Sequence, residues 1–248
     1  MPLCHIALGG NVGNTRDHFS RAIDQLDAAS DCRVELVSSL YRTTAVGDGA
    51  GEDFLNTAAS VETALDPHAF LQRLHEIEDG AGRKRDRHWG PRPLDLDLIL
   101  WGDQILDTPK LIVPHPAAWF RRFVLDPLAE IAGDVVHPVK QRTIEQLRSR
   151  LLPRPISASV VGADASLRAL CLDAIRVWDP QVIASEWKPG AAEPTFLFWL
   201  GGESERAFES LPLVPRFNLS EASGRDEETI AAIGHILQSA LDEPTPMP

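Results

Sequence analysis

Residues 94 to 100 read Leu94-Asp95-Leu96-Asp97-Leu98-Ile99-Leu100. Alternation of this kind specifies a β-strand with one apolar and one polar face, because successive strand side chains point to opposite sides. The four leucines are expected on one face, and Asp95, Asp97 and Ile99 on the other. Two carboxylates two residues apart on one face can hold a hard cation through oxygen. Just upstream, Arg83, Lys84, Arg85, Arg87 and Arg92 offer the cations that grip phosphate. Trp89-Gly90-Pro91-Arg92-Pro93 joins the two halves, with prolines that fix φ and stiffen the turn. Taken singly, each half has an ordinary reading, as a solvated edge strand or a solvated loop. A rigid turn holding a basic cluster beside a carboxylate pair points instead to metal-dependent phosphoryl chemistry.

Along the rest of the chain, Leu3 to Leu8 predicts a strand, and Gly9 to Asn14 a tight strand-to-helix connection. That connection has neither a Gly-Lys-Ser/Thr ending nor Gly-x-Gly-x-x-Gly, so it is no standard nucleotide loop. Thr15 is expected to cap a helix carrying Phe19, Ala22, Ile23 and Leu26. A strand follows within 33–41. The polar loop 42–53, with Gly47, Gly49 and Gly51, reads either as an ordinary connector or as a lid that closes over substrates. Phe54 to Thr63 predicts another strand. Asp66-Pro67 starts a helix through Phe70, Leu71, Leu74 and Ile77. Beyond the aspartate strand come extended segments at 104–106 and 110–113 and a helix over about 117–131. A Thr143/Gln146 capping box then opens a helix ending at Leu152. The order β-α-β-β-α-β predicts an α+β fold: a ferredoxin-like antiparallel sheet with helices on one face, against the leucines. The opposite face, with Asp95 and Asp97, is expected to stay open for the site.

A chain of 248 residues accommodates two domains. Pro153-Arg154-Pro155 marks the linker between a catalytic domain, 1–152, and a small α/β module, 153–248. In that module strands are expected at 156–161, 182–187 and 195–200, with a helix capped by Asp164, a short one at Ser204 and a last one over 227–241. The stretch Thr195 to Leu200 is apolar on both faces and so predicts a buried central strand. Residues 243–248 are expected to fray. A net charge of −12 makes nucleic acid and anionic membrane poor partners; the basic cluster at 83–92 suits a small anion. Three cysteines without C-x-x-C spacing argue against disulfides and zinc. No signal peptide or long apolar run is visible, which predicts a cytoplasmic protein. The acidic C-terminal module has no chemical constellation of its own, and is expected to pack on the catalytic unit or to mediate self-association.

Trp89-Gly90-Pro91-Arg92-Pro93-Leu94-Asp95-Leu96-Asp97 resembles the signature of the 6-hydroxymethyl-7,8-dihydropterin pyrophosphokinases. Similar segments follow the family's order: Ile6 to Asn11, Ser38 to Thr43, Phe54-Leu55-Asn56, Ile77-Glu78, Gly82-Arg83, Val113-Pro114-His115, and Arg121 with Phe123 to Leu128. Together they cover about residues 1–152. The resemblance implies transfer of pyrophosphate from ATP, the co-substrate, to the hydroxymethyl group of a reduced pterin. The products would be the pterin diphosphate and AMP, in folate biosynthesis. It further implies that Asp95 and Asp97 hold two Mg2+ ions and that Arg83 and Arg92 neutralise the transferring group. Lys84 and Arg85 would close over the phosphates, with Arg87 as the alternative to Arg85. Arg121 would be a further cation. His115 would contact the nucleotide phosphates or ribose, and His75 and Glu78 would lie near the nucleotide. For the pterin, the main chain at Thr43, Thr44 and Val46 would read the aminopyrimidine and Asn56 would hydrogen-bond the ring. Phe54 and Phe123 would stack on it, and Trp89 would close the site or pack beside it. The chain departs from the family at Thr44-Ala45, where proline often follows the threonine, at Phe54, often tyrosine, and at Pro116.

Two other classes share parts of this pattern. A non-catalytic pterin- or nucleotide-binding relative could act through the C-terminal module, but it would have no need of the intact Arg83, Arg92, Asp95 and Asp97. A ferredoxin-like nucleic-acid binder would need a basic sheet face with exposed aromatics; here that face carries two aspartates.

Overall fold

A computed structural model describes residues 1–44, 52–82, 92–162, 165–202, 208–213, 216–221 and 226–247. The chain divides into two compact units, one formed by 1–148 with 241–248, the other by 149–240.

The first unit opens with β1 (Leu3–Gly10), α1 (Thr15–Asp27), β2 (Cys32–Val37), β3 (Tyr41–Thr43), β4 (Phe54–Thr63), α2 (Pro67–Gly80) and β5 (Asp95–Trp101). After these come the hairpin β6 (Leu106–Thr108) and β7 (Leu111–Val113), a 3-10 turn at Ala118–Phe120, and α3 (Arg122–Ala132). A second small hairpin, β8 (Val136–His137) and β9 (Arg142–Thr143), leads to α4 (Ile144–Ser149). Local signals start the helices. Asp66 Oδ1 accepts from the His68 and Ala69 N–H groups at 2.9 and 3.0 Å, ahead of Pro67 in the first turn of α2. Thr143 and Gln146 form the reciprocal capping box before α4. For α1 the cap is Asn14, whose Oδ1 accepts from Asp17 N–H, and not Thr15. Thr15 is buried as the first helical residue, with its methyl toward Gly10.

The sheet is antiparallel: β1 lies between β4 and β5, and β4 also pairs with β2 and β3. One face packs on α1 and α2 through Ile6, Leu8, Phe19, Leu26, Val61, Phe70, Leu74, Leu94, Leu96 and Leu98. The expected row of four leucines is broken by a bulge. His5 pairs with Leu100 while Ile6 pairs with Leu98, so β5 carries one extra residue, Ile99. Beyond it the side chains change sides. Trp101 joins the helix-side core, its ring 5.7 Å from that of Phe70, and Leu100 lines up with His5 and Ser60 on the opposite face.

That second face is not left bare, which corrects the expectation of helices on one face only. Helix α3 packs on β4, β1 and β3, and its Glu130 accepts from Tyr41 Oη at 2.5 Å and Ser39 N–H at 2.7 Å. His5, Ala58, Ser60 and Leu100 are buried beneath it with Leu125 and Leu128. The physical reason is the apolar stripe of α3, which must be covered, and the small residues of β1 and β4 that allow a helix to approach. What stays partly open on this face is Ala7 and Gly9 of β1 with Asp95 and Asp97 of β5.

Gly10 ends β1 in a close approach. A Cβ there would stand 2.6 Å from the Pro93 carbonyl oxygen and 3.0 Å from Thr15 Cγ2. Gly10→Ala is therefore expected to destabilise the first unit by about 2 kcal/mol through overpacking against backbone, a loss that denaturant unfolding would measure.

The second unit contains β10 (Ile156–Val161), α5 (Ala165–Trp178), β11 (Val182–Glu186), β12 (Phe196–Trp199), β13 (Arg216–Asn218) and α6 (Asp226–Leu241). Its sheet is parallel in the order β11-β10-β12-β13. All four residues of β12 are buried, as befits an interior strand covered on both faces. Gly162 and Gly201, both at positive φ, turn the chain after β10 and β12; a Cβ on Gly162 would stand 2.0 Å from the Gly201 carbonyl oxygen. Asp164 and Ser204 lie outside the described residues.

The chain then returns to the first unit. The tail expected to fray instead forms β14 (Thr245–Pro246), antiparallel to β3, and Met247 N–H donates to the Leu40 carbonyl at 2.8 Å. Pro244 is buried just before it. Burial pushes the Asp242 carboxyl up to about 6, with Arg122 pulling the other way.

Candidate active site

The open floor is built from strand register. Asn56 of β4, Gly9 of β1 and Asp95 of β5 form one cross-strand row; Ala58, Ala7 and Asp97 form the next. Cross-paired residues share a face, so both aspartates and Asn56 point to the same side. Gly9 leaves the space between them unfilled: a Cβ there would lie 3.5 Å from Asn56 Oδ1 and 4.0 Å from Asp95 Cβ. At the far side, Asn56 Nδ2 donates to Thr43 Oγ1 at 2.9 Å, both residues being buried. Phe54 pairs with Thr43 and is half-buried, while Thr44 is exposed.

Two side chains set the aspartate strand in place. From the helix side, Glu78 Oε1 accepts from Leu96 N–H at 2.7 Å. Glu78 was expected near the nucleotide, but its residue exposure is 0%, so it supports β5 from behind. Buried carboxylates need such partners, and a strand N–H between two aspartates is a natural one. From the N-terminal end, Asn11 holds the approach to β5. Its N–H donates to the Arg92 carbonyl and its Oδ1 accepts from Arg92 N–H, both at 3.0 Å. Its Nδ2 donates to the Glu52 carbonyl at 3.1 Å. One buried side chain thus ties Glu52, just before β4, to Arg92, just before β5. This role of Asn11 was not expected from the sequence, although an asparagine immediately after a Gly-Gly strand end is a usable signal.

Arg92 Nη1 donates to Asp95 Oδ2 at 2.5 Å. His115 is fixed by the bulge in β5, since its N–H donates to the Ile99 carbonyl at 3.0 Å. Its Nδ1 accepts from Ala117 N–H at 3.2 Å, which leaves the proton of the neutral ring on Nε2. The Arg121 guanidinium lies 5.9 and 5.7 Å from the ring centres of Phe120 and Phe123.

The electrostatics bind these groups into one cluster. Burial, and then Asp95, push the Asp97 carboxyl above its ordinary range, while His115, Arg121 and Arg92 pull it down. Burial lowers His115, so the ring is neutral near pH 7, and Asp97 opposes that shift. Burial likewise lowers Arg121, against the pull of Asp97 and Asp95. Among the described residues no group of three or more His, Cys, Asp or Glu could hold a metal ion. A carboxylate pair suits magnesium, which takes one or two carboxylates and completes its shell with water and phosphate oxygens.

Asp95, Asp97, Arg92, His115 and Arg121 are therefore brought together, with Asn56 and Thr43 across the floor. His75 is half-buried on α2, the helix on the other side of the sheet. Val46 and the loop residues Arg83, Lys84, Arg85, Arg87 and Trp89 lie outside the described residues.

Comparisons with known proteins agree with one another. The profile of the family described as 7,8-dihydro-6-hydroxymethylpterin-pyrophosphokinase (HPPK) matches residues 5–133. A Synechocystis 2-amino-4-hydroxy-6-hydroxymethyldihydropteridine pyrophosphokinase is 44% identical over 147 residues, covering 58% of this chain and 75% of the relative. The enzyme of that name from Bacillus subtilis is 41% identical over 133 residues, covering 54% and 80%. One from Methylorubrum extorquens is 36% identical over 156 residues, covering 63% and 98%.

Proposed function

The chain belongs to the 7,8-dihydro-6-hydroxymethylpterin-pyrophosphokinase family, and on that premise we propose how its residues divide the work. The reaction is transfer of pyrophosphate from ATP to 6-hydroxymethyl-7,8-dihydropterin, a step of folate synthesis. The hydroxymethyl oxygen bonds to the β-phosphorus as the bond from that phosphorus to the oxygen bridging it to the α-phosphate breaks. AMP leaves with the bridging oxygen, and the hydroxyl proton passes to solvent. Such a transfer asks little covalent chemistry of the protein; positioning and charge neutralisation carry it.

The observation that supports this division best is the convergence of Asp95, Asp97, His115 and Arg121 beside a floor kept open by Gly9 and Ala7. Arg121 and Arg92 would face the charge that builds on the phosphates. Neutral His115 would offer its Nε2–H to a phosphate or ribose oxygen without adding a cation that Asp97 would tie up. Asp95 and Asp97 would hold magnesium, which when bound neutralises the phosphate chain and acidifies the hydroxyl. Arg83, Lys84, Arg85 and Trp89 would complete the ATP side from the loop that precedes β5. Asn56 and Thr43 would meet the polar edge of the pterin, with Thr44 and the main chain of Val46 beyond them. Phe54 and Phe123 would cover its faces. Glu78 and Asn11 act through β5 and Arg92 and are positioning residues.

The chain order β1-α1-β2-β4-α2-β5 and the sheet order β2-β4-β1-β5 support a ferredoxin-like assignment for the first unit. No helix among the described residues is long and apolar enough to cross a membrane. The three cysteines are free thiols, which suits a reducing compartment such as the cytoplasm.

The test is incubation of the full chain with magnesium, ATP and the pterin, following AMP. Release of AMP that requires the pterin is the expected result; ATP consumed without AMP, or AMP without pterin, would overturn the reading. Asn56→Ala should raise the KM for pterin by roughly tenfold or more and leave that for ATP unchanged, because a buried polar edge loses its partner.

A further inference from the structure

The family match ends at residue 133, yet residues 245–247 lie on the strand that carries Thr43. Strand β3 is three residues long and pairs with β4 along one edge. Along its other edge Arg42 pairs with Thr245 and Tyr41 with Pro246, and Leu40 accepts from Met247 N–H at 2.8 Å. A strand this short, held on one side only, is the kind of element that opens locally at little cost. Pairing on both edges makes it an interior strand. Its last residue, Thr43, accepts the hydrogen bond that orients Asn56.

We propose that the C-terminal tail, docked as β14 on β3, is a positioning element for the pterin pocket, holding Thr43 and through it Asn56 in binding geometry. The inference rests on reading Thr43 and Asn56 as pterin contacts. On this view the chain has added to a shared catalytic unit a strap that the family match does not include. Its effect should fall on pterin binding and spare the ATP side, because β3 lies at the Asn56 side of the floor while Asp95, Asp97 and Arg92 lie across Gly9 from it.

Two variants of the full chain test it. Met247→Pro removes the N–H that donates to Leu40, and truncation after Asp242 removes the whole strand. Both are expected to raise the KM for pterin roughly tenfold, the equivalent of about one lost hydrogen-bonded contact. The KM for ATP and the far-ultraviolet circular dichroism should stay as in the wild type. Amide exchange at Arg42 and Thr43 should speed up in both variants, a readout independent of substrate. Unchanged pterin KM in both, with Asn56→Ala still raising it, would overturn the strap while leaving the pocket reading intact. If Asn56→Ala itself has no effect on pterin KM, the pocket reading fails and the proposal with it. Equal losses of ATP and pterin affinity, accompanied by a lower melting temperature, would reduce the tail to a plain structural role and equally overturn the proposal.

Discussion

Asp97→Asn is expected to lower kcat/KM by about a thousandfold and, in metal-free buffer, to raise the melting temperature of the first unit by roughly a few degrees. Both effects come from the same carboxyl. Its burial and its neighbour Asp95 push its pKa above the ordinary carboxylate range, so ionised Asp97 is a cost to the fold. The folded state binds that proton more tightly than the unfolded chain does. The carboxyl's stabilising contribution is therefore complete at low pH, and it is lost as pH rises from the ordinary carboxylate range through the raised folded value. Asparagine has no such titration. The gap in melting temperature between variant and wild type should open as pH rises through that window and then level off. Circular dichroism melts at a series of pH values, paired with AMP release, would measure both halves. Activity within tenfold of wild type, or melting curves that coincide at every pH, would contradict the account. The facing groups His115, Arg121 and Arg92 limit the gain in stability, since each favours the ionised form.

The second large effect is expected at Asn11, which touches no reacting atom in the proposed arrangement. Asn11→Ala should lower kcat by about tenfold, because it strands Arg92 N–H at the half-buried entry to β5, a cost of about 1–2 kcal/mol, while the Glu52 carbonyl, on an exposed residue, can turn to water. Asn11→Asp is the informative companion. It keeps the oxygen that accepts from Arg92 N–H and sets its second carboxylate oxygen, in place of a donor, against the Glu52 carbonyl, so it should retain more of kcat than the alanine variant does while losing stability. A merely structural asparagine would show equal losses in both, tracking the drop in melting temperature. A positioning one separates kcat from stability.

Much of the first unit was legible because its signals are local. The Asp66-Pro67 start of α2, the Thr143/Gln146 box and the alternation of Leu94 to Leu98 depend on neighbours within a few residues. The misreadings arose where a distant partner decides. Ile99 continues the alternation in sequence, but the pairing of β5 with β1 inserts it as a bulge, and that moved Leu100 to the unexpected face. The same bulge supplies the carbonyl that holds His115. Helix α3 covers a face that the strand pattern alone left open, because its stripe has to be buried against residues far away in sequence. Glu78 was placed near the nucleotide by the family resemblance, and only its hydrogen bond with Leu96 N–H marks it as buried support of β5. The residues 245–247 carry no strand pattern at all; their structure comes entirely from the free edge of β3.

The chain leaves the first unit at residue 148 and re-enters it at 241, so the second unit is an insertion held at both ends and not an appendage. That arrangement makes the inserted unit a tether whose state sets the local concentration of the tail. Unfolded, it would be a flexible connector of about ninety residues, over which the effective concentration of the tail falls steeply with length. Melting of the inserted unit would then loosen the pterin side of the site while the catalytic core is still folded. Heat would then act on affinity for one substrate before the other.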